Sequence, residues 1–213
     1  VQDAASDRDP AGDEGSRRRR EEEICRILGE IQAPLCPLLL RLCHWLLPKL
    51  LTRLFLSVQL HRGQLEMVLR AASTPEVPLV FLCSHQSQMD GLLLSFVLLS
   101  QGVGLPRVAV GARTSPRLRS LLQRLGGIFL PPGLAQTRSG RDKGLPAAVL
   151  DAYVQEVLRS RQPLVLFLEE PAAPRRLADP ARLWLLRLLR ALRDRAVPDV
   201  LVVPVGIAYD VAP

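Results

Sequence analysis

Apolar and polar positions divide the chain into three stretches. Residues 1–23 are poor in large apolar side chains: a stretch rich in Asp, Ala, Gly and Ser gives way to Arg17–Arg20 and then Glu21–Glu23. Blocks of like charge predict a charged, disordered lead-in. The arginine run also suits phospholipid or RNA. From Ile24 to Ala72 the period is helical. Ile24, Ile27, Leu28 and Ile31 recur at spacings of three and four and predict an amphipathic helix, which Pro34 and Pro37 interrupt. Leu38 to Leu60 is strongly apolar, but Arg41, His44, Lys49 and Arg53 break the run and Pro48 kinks it. It therefore falls short of the roughly 20 mostly uncharged residues that a spanning helix needs. Arginine and lysine among leucines, with Trp45 and Phe55, fit a helix lying in a membrane interface. They also fit one arm of a helical hairpin capping the rest of the chain. The expected arrangement is a hairpin that partly faces lipid. A further helix follows from Gly63.

Beyond residue 72 the pattern alternates. Short apolar runs at Leu79–Cys83, Arg107–Val110, Ile128–Leu130, Leu164–Leu168 and Asp199–Val205 read as strands. Helical periods at Gln88–Leu99, Pro116–Arg124, Pro146–Arg159 and Pro180–Ala196 separate them. Buried strands alternating with helices predict an α/β fold: a largely parallel sheet flanked by helices, with an N-terminal helical hairpin. The expected organisation is thus a lead-in over 1–23, a helical and membrane-associated region over 24–72, and an α/β domain over 73–213. The chain has no initial Met and stops just after a strand-like run, so it is expected to be part of a longer protein.

Composition narrows the function classes. Of 213 residues, 48% are apolar and only 4% aromatic, so the core is expected to be mostly leucine and valine. The net charge is +7, carried almost wholly by arginine, since Lys49 and Lys143 are the only lysines. This fits an anionic partner: a phosphorylated small molecule, an anionic membrane surface or a nucleic acid. Nucleic acid is the weaker fit, because no stripe interleaves arginine with aromatics. Cys25, Cys36, Cys43 and Cys83 lack metal-site spacing and read as reduced thiols. No metal set is expected. Gly102-Val-Gly104 lacks a third glycine, so no dinucleotide fingerprint is present.

Candidate chemistry gathers at the end of the first strand. Ser84-His85 follows the apolar run, and Ser87-Gln-Met-Asp90 opens the next helix with a capping-box pattern. His85 then sits in a strand-to-helix turn with Asp90 in the first helical turn, where α/β proteins place functional groups. Asp90 can accept from the imidazole, fixing its tautomer and leaving the other nitrogen as a base. The same residues also suit a capping box and a half-buried turn histidine with no chemistry.

The block His85-Gln-Ser-Gln-Met-Asp90 resembles the His-x4-Asp motif of the glycerolipid acyltransferase family. Gly126-Gly-Ile-Phe-Leu130 resembles its second block, Phe167-Leu-Glu169 the start of its third, and Val202-Val-Pro-Val-Gly-Ile-Ala-Tyr-Asp210 its fourth. Leu60-His-Arg-Gly-Gln-Leu-Glu-Met-Val68 is similar to the mitochondrial glycerol-3-phosphate acyltransferase branch. The four blocks occur in family order. The resemblance implies transfer of a fatty acyl group from acyl-CoA to the first hydroxyl of glycerol 3-phosphate, giving lysophosphatidic acid. It implies no cofactor beyond acyl-CoA as cosubstrate, and a place at the mitochondrial outer membrane. His85 would be the base and Asp90 its orienting carboxylate. Gly127, Phe129, Glu169 and Pro204 would lie in the substrate-binding blocks.

Two blocks depart from the family pattern. The arginine that follows the second block's Phe is replaced by Pro131-Pro132, and Glu-Gly-Thr-Arg of the third block reads Glu169-Glu170-Pro171-Ala172. Prolines offer a phosphate neither charge nor backbone N–H, and Glu170 adds like charge. Arg113, Arg138, Arg141, Arg175 and Arg176 fall in loops near the same edge. Arg175 and Arg176 are the best candidates to hold the acceptor phosphate. Two other readings remain: a membrane-bound scaffold that keeps the fold but has lost most activity and binds a protein or nucleic-acid partner, and an acyltransferase for another acceptor such as lysophosphatidic acid.

Overall fold

The structure is a computed structural model and describes residues 14–32, 35–54, 57–74, 77–84, 90–110, 116–131, 134, 144–169 and 177–209. Five strands form one parallel sheet: β1 (Leu79–Cys83), β2 (Arg107–Ala109), β3 (Gly127–Ile128), β4 (Leu164–Phe167) and β5 (Leu201–Val205), in the order β3-β2-β4-β1-β5. Their C-terminal ends therefore share one edge. In register, Cys83 lies between Phe167 and Val205.

Helices cover both faces, and the side-chain alternation of the strands assigns residues to each. Val80, Leu164, Leu166 and Ile128 pack under α1 (Glu14–Ile31), α6 (Leu145–Arg159) and α7 (Asp179–Arg193). Leu79, Phe81, Cys83 and Val165 pack against α3 (Arg62–Ser73) and α4 (Asp90–Ser100). Among the described residues the remaining helices are α2 (Pro37–Leu54) and α5 (Pro116–Arg124).

Several boundaries differ from the sequence expectation, most by one or two residues, and three of them have a visible cause. Residues 17–23, expected to be disordered, are helical within α1. Arginine and glutamate are good helix formers. The helix they extend is anchored by Ile24, Ile27 and Ile31, which join the core under α6. The core therefore reaches back across the domain edge expected at residue 73. Residues 1–13 lie outside the described residues. The third strand ends at Ile128 rather than Leu130, because the Phe129 N–H leaves the ladder to donate to Ile31 O at the end of α1. That bond satisfies one of the terminal carbonyls a helix leaves open. The helix expected to reach Ala196 stops at Arg193. Arg195 turns left-handed (φ 53°), and bonds from Ala196 N to Ala191 O and from Arg195 N to Leu192 O close a Schellman end. Arg161 (φ 56°) ends α6 in the same way.

Candidate active site

β1 ends in an apolar environment. Cys83 is fully buried, and burial together with the nearby Asp90 charge pushes its thiol up to about 12. A thiol so held stays protonated at neutral pH, which disfavours the thiolate that nucleophilic attack needs. Ser84 follows and is part-buried. The next described residue is Asp90, which opens α4 with 0% of its surface exposed. A buried carboxylate needs donors. One is the Tyr209 hydroxyl, which donates to Asp90 Oδ1. The β1–β5 pairing that sets Cys83 opposite Val205 lets residues 206–209 reach the head of α4. The start of a helix also favours negative charge through its open N–H groups.

β4 closes the site from the other side. The Leu168 N–H donates to Cys83 O at 2.8 Å, and the Ala178 N–H donates to Leu168 O at 2.8 Å. The segment between Leu168 and Ala178, which carries the third block, thus leaves and rejoins the sheet edge beside Cys83. Phe167 lies over the first turn of α4: a methyl at Gly91 would meet its ring at 3.5 Å.

The residues expected in the site divide into three groups. Asp90 and Glu169 lie at the β1–β4 edge, Asp90 buried and Glu169 part-buried just past β4. Gly127 and Phe129 lie at β3, three strand spacings or about 14 Å from β1. Phe129 is only 2% exposed, with the Arg119 guanidinium 4.7 Å from its ring centroid. Gly127 sits against the α5 backbone, where a Cβ would come within 2.8 Å of Leu122 O. The neighbouring Gly126 has φ 102° and faces Pro106 O. Both second-block positions are thus tightly packed. Pro204 is exposed on the edge strand β5 opposite Leu82, where its missing N–H costs no ladder bond. His85, Arg175 and Arg176 lie outside the described residues, as do Glu170, Pro171 and Ala172.

Tyr209 is the site residue that sequence reasoning missed. The sequence marks its neighbourhood, as one of two tyrosines and four residues past a strand-like run in the fourth block, but not its partner. His61, by contrast, caps α3, its Nδ1 accepting from the Gln64 N–H at 3.4 Å.

A parallel sheet flanked by helices on both faces, with a buried aspartate opening a helix after the strand second from the edge, defines an α/β acyltransferase domain. The acyltransferase family model matches residues 62–208, and the chain belongs to that family. It is 46% identical to mitochondrial glycerol-3-phosphate acyltransferase 2 of Mus musculus, across 100% of this chain and 27% of that protein. Identity to the Rattus norvegicus protein of the same name is 49%, across 91% of this chain and 24% of that one. With mitochondrial glycerol-3-phosphate acyltransferase 1 of Homo sapiens it is 39%, across 87% and 22%. The chain spans about a quarter of the length of the curated relatives it matches.

Proposed function

We propose that the protein transfers a fatty acyl group from acyl-CoA to the sn-1 hydroxyl of glycerol 3-phosphate, giving lysophosphatidic acid. The observation that carries this reading is Asp90. It is the carboxylate of the His-x4-Asp block, buried at the C-terminal edge of the sheet, in a chain whose relatives are named glycerol-3-phosphate acyltransferases. His85 takes the hydroxyl proton while the oxygen attacks the thioester carbon. The carbon–sulfur bond then breaks, and the CoA thiolate leaves and is protonated. Asp90 holds the imidazole in the tautomer that leaves a basic nitrogen toward the hydroxyl. The protonated Cys83 favours direct transfer over a cysteine-bound intermediate. Glu169, Arg175 and Arg176 supply the acceptor side, the two arginines standing in for the phosphate-binding arginines the blocks lack. Gly127 and Phe129 support the fold of the second block, and Pro204 shapes the edge strand.

The protein acts at a mitochondrial membrane, in line with its relatives' names. Among the described residues no helix is long and apolar enough to cross a membrane. Surface contact is the better fit for α2. Leu38, Leu42, Trp45 and Leu46 share one exposed face of this helix, and Lys49 sits 3.7 Å over the Trp45 ring.

The test is acyl transfer from labelled palmitoyl-CoA by the full-length protein, with glycerol 3-phosphate and with lysophosphatidic acid as acceptor. Replacing His85 by Ala is expected to lower the rate about 10²–10⁴-fold while the protein stays folded. Transfer that persists undiminished in His85→Ala refutes the mechanism. A folded wild-type protein without product from either acceptor favours the scaffold reading, which the altered second and third blocks motivate.

A further inference from the structure

Tyr209 has no role in the reaction as written above, yet its hydroxyl bonds Asp90, the one carboxylate among the described residues of the sheet edge that has no exposed surface. It does so from a segment without regular structure past an edge strand. We infer that Tyr209 is a positioning residue for the transfer, its hydroxyl fixing the orientation in which Asp90 offers its carboxylate to the base. This rests on the reading of His85 and Asp90 as the catalytic pair.

An Asp side chain turns about a broad, roughly two-fold terminal torsion, so burial alone leaves its carboxylate plane poorly fixed. A hydroxyl donating to an ionised carboxylate belongs to the short, strong class of hydrogen bonds, and a water-poor site strengthens it. Pinning Oδ1 stops the plane from swinging and sets which lone pairs point out of the helix end. In the strand rows beside Asp90, Cys83 keeps only a weakly donating thiol proton and Phe167 presents a ring. Because β1 and β5 are in register, the tyrosine arrives from the fourth block at the residue that closes the first. Two blocks far apart in sequence thus meet in one hydrogen bond.

The experiment is Tyr209→Phe in the full-length protein, with kcat and KM measured separately for acyl-CoA and glycerol 3-phosphate. The loss of one bond to a charged group predicts a kcat lower by roughly 10- to 100-fold. Both KM values are expected to stay within about twofold, because the role is exerted through Asp90. A kcat near wild type overturns the inference. So does a raised KM for glycerol 3-phosphate with kcat intact, which makes Tyr209 a ligand contact. If Tyr209→Phe does not fold, Tyr209→Leu, which also lacks a donor, is read against the same outcomes.

A second readout needs no turnover. Deuterium exchange at the histidine C2 position, followed by mass spectrometry, reports the His85 imidazole pKa in wild type and variant. Removing the Tyr209 donor leaves the Asp90 charge less neutralised, so the His85 pKa is expected to rise on the order of one unit. An unchanged or lowered value overturns the positioning role even in a protein that transfers nothing. Absent turnover with a shifted His85 would instead mean that the acyl-transfer reading fails and the hydrogen-bonded pair stands.

Discussion

Gly127→Ala separates a packing role from a substrate role for the second block. A Cβ at this position would lie 2.8 Å from Leu122 O, 3.0 Å from Leu122 C and 3.3 Å from Leu122 Cβ. The first two atoms are backbone in the last turn of α5, so no rotamer change relieves the contact. Either α5 shifts outward or β3 leaves its pairing with β2. Overpacking of this kind costs about 1–3 kcal/mol, which for a domain of this size lowers the thermal midpoint by roughly 2–12 °C. The damage sits about 14 Å from β1, so below the transition both KM values should stay within about twofold of wild type. Gly91→Ala is the control, because a methyl there makes ordinary van der Waals contacts, with the Phe167 ring at 3.5 Å and Val108 Cγ1 at 3.8 Å. It is expected to leave the midpoint nearly unchanged. The assay is differential scanning fluorimetry beside initial rates across a range of glycerol 3-phosphate concentrations. An unshifted midpoint in Gly127→Ala with a KM for glycerol 3-phosphate raised tenfold or more would refute the packing argument and return Gly127 to the substrate site.

Two further outcomes follow from the same coordinates. Arg187, 4% exposed, donates from Nη1 to both oxygens of Asp151 at 2.9 Å across α6 and α7. Asp151→Leu strands that guanidinium beside Arg190 and should cost about 3 kcal/mol by urea denaturation, most of it recovered when Arg187→Leu is added; a double variant no more stable than the single refutes the pairing. Cys83 supplies a pH dependence: its thiol lies at about 12 folded against 9.0 unfolded. The folded pKa is raised, so its contribution is whole below pH 9 and is lost as pH climbs toward 12. Thermal midpoints of wild type should therefore fall more steeply from pH 9 to 11 than those of Cys83→Ala, and parallel curves would refute the burial argument.

The regular part of the fold was legible because its signals are local. The apolar run Leu79–Cys83 and the amphipathic period Pro116–Arg124 appear in the structure with the same bounds. What escaped depends on partners distant in sequence. Phe129 looks like a strand residue until α1 is seen to draw its N–H toward Ile31. Arg195 and Arg161 occupy left-handed helix ends where glycine is the usual marker, so neither end was visible in the residue types. The Arg17–Glu23 block was read by charge alone, although the three isoleucines after it commit the helix to the core. Within the site, Asp90 was legible from its spacing after a strand. Tyr209 was not, since its role follows from which strand lies next to β1, and strand order cannot be read from period or composition.

That strand order also ranks the departures from the family pattern. β4, β1 and β5 are neighbours, and Phe167, Cys83 and Val205 stand in one row at their ends. The first, third and fourth blocks therefore converge on Asp90, while the second lies beyond β2 at the far edge. Proline at 131, buried next to Leu130, alters a position remote from the carboxylate. The third block starts one hydrogen bond from Cys83 and returns to the same place through Ala178. A change of charge between Leu168 and Ala178 is thus tied to the reacting end of the sheet by both of its anchors. The loss of glycine, threonine and arginine after Glu169 is for this reason the more consequential departure for an anionic acceptor. Arg175 and Arg176 lie in sequence between the same two anchors.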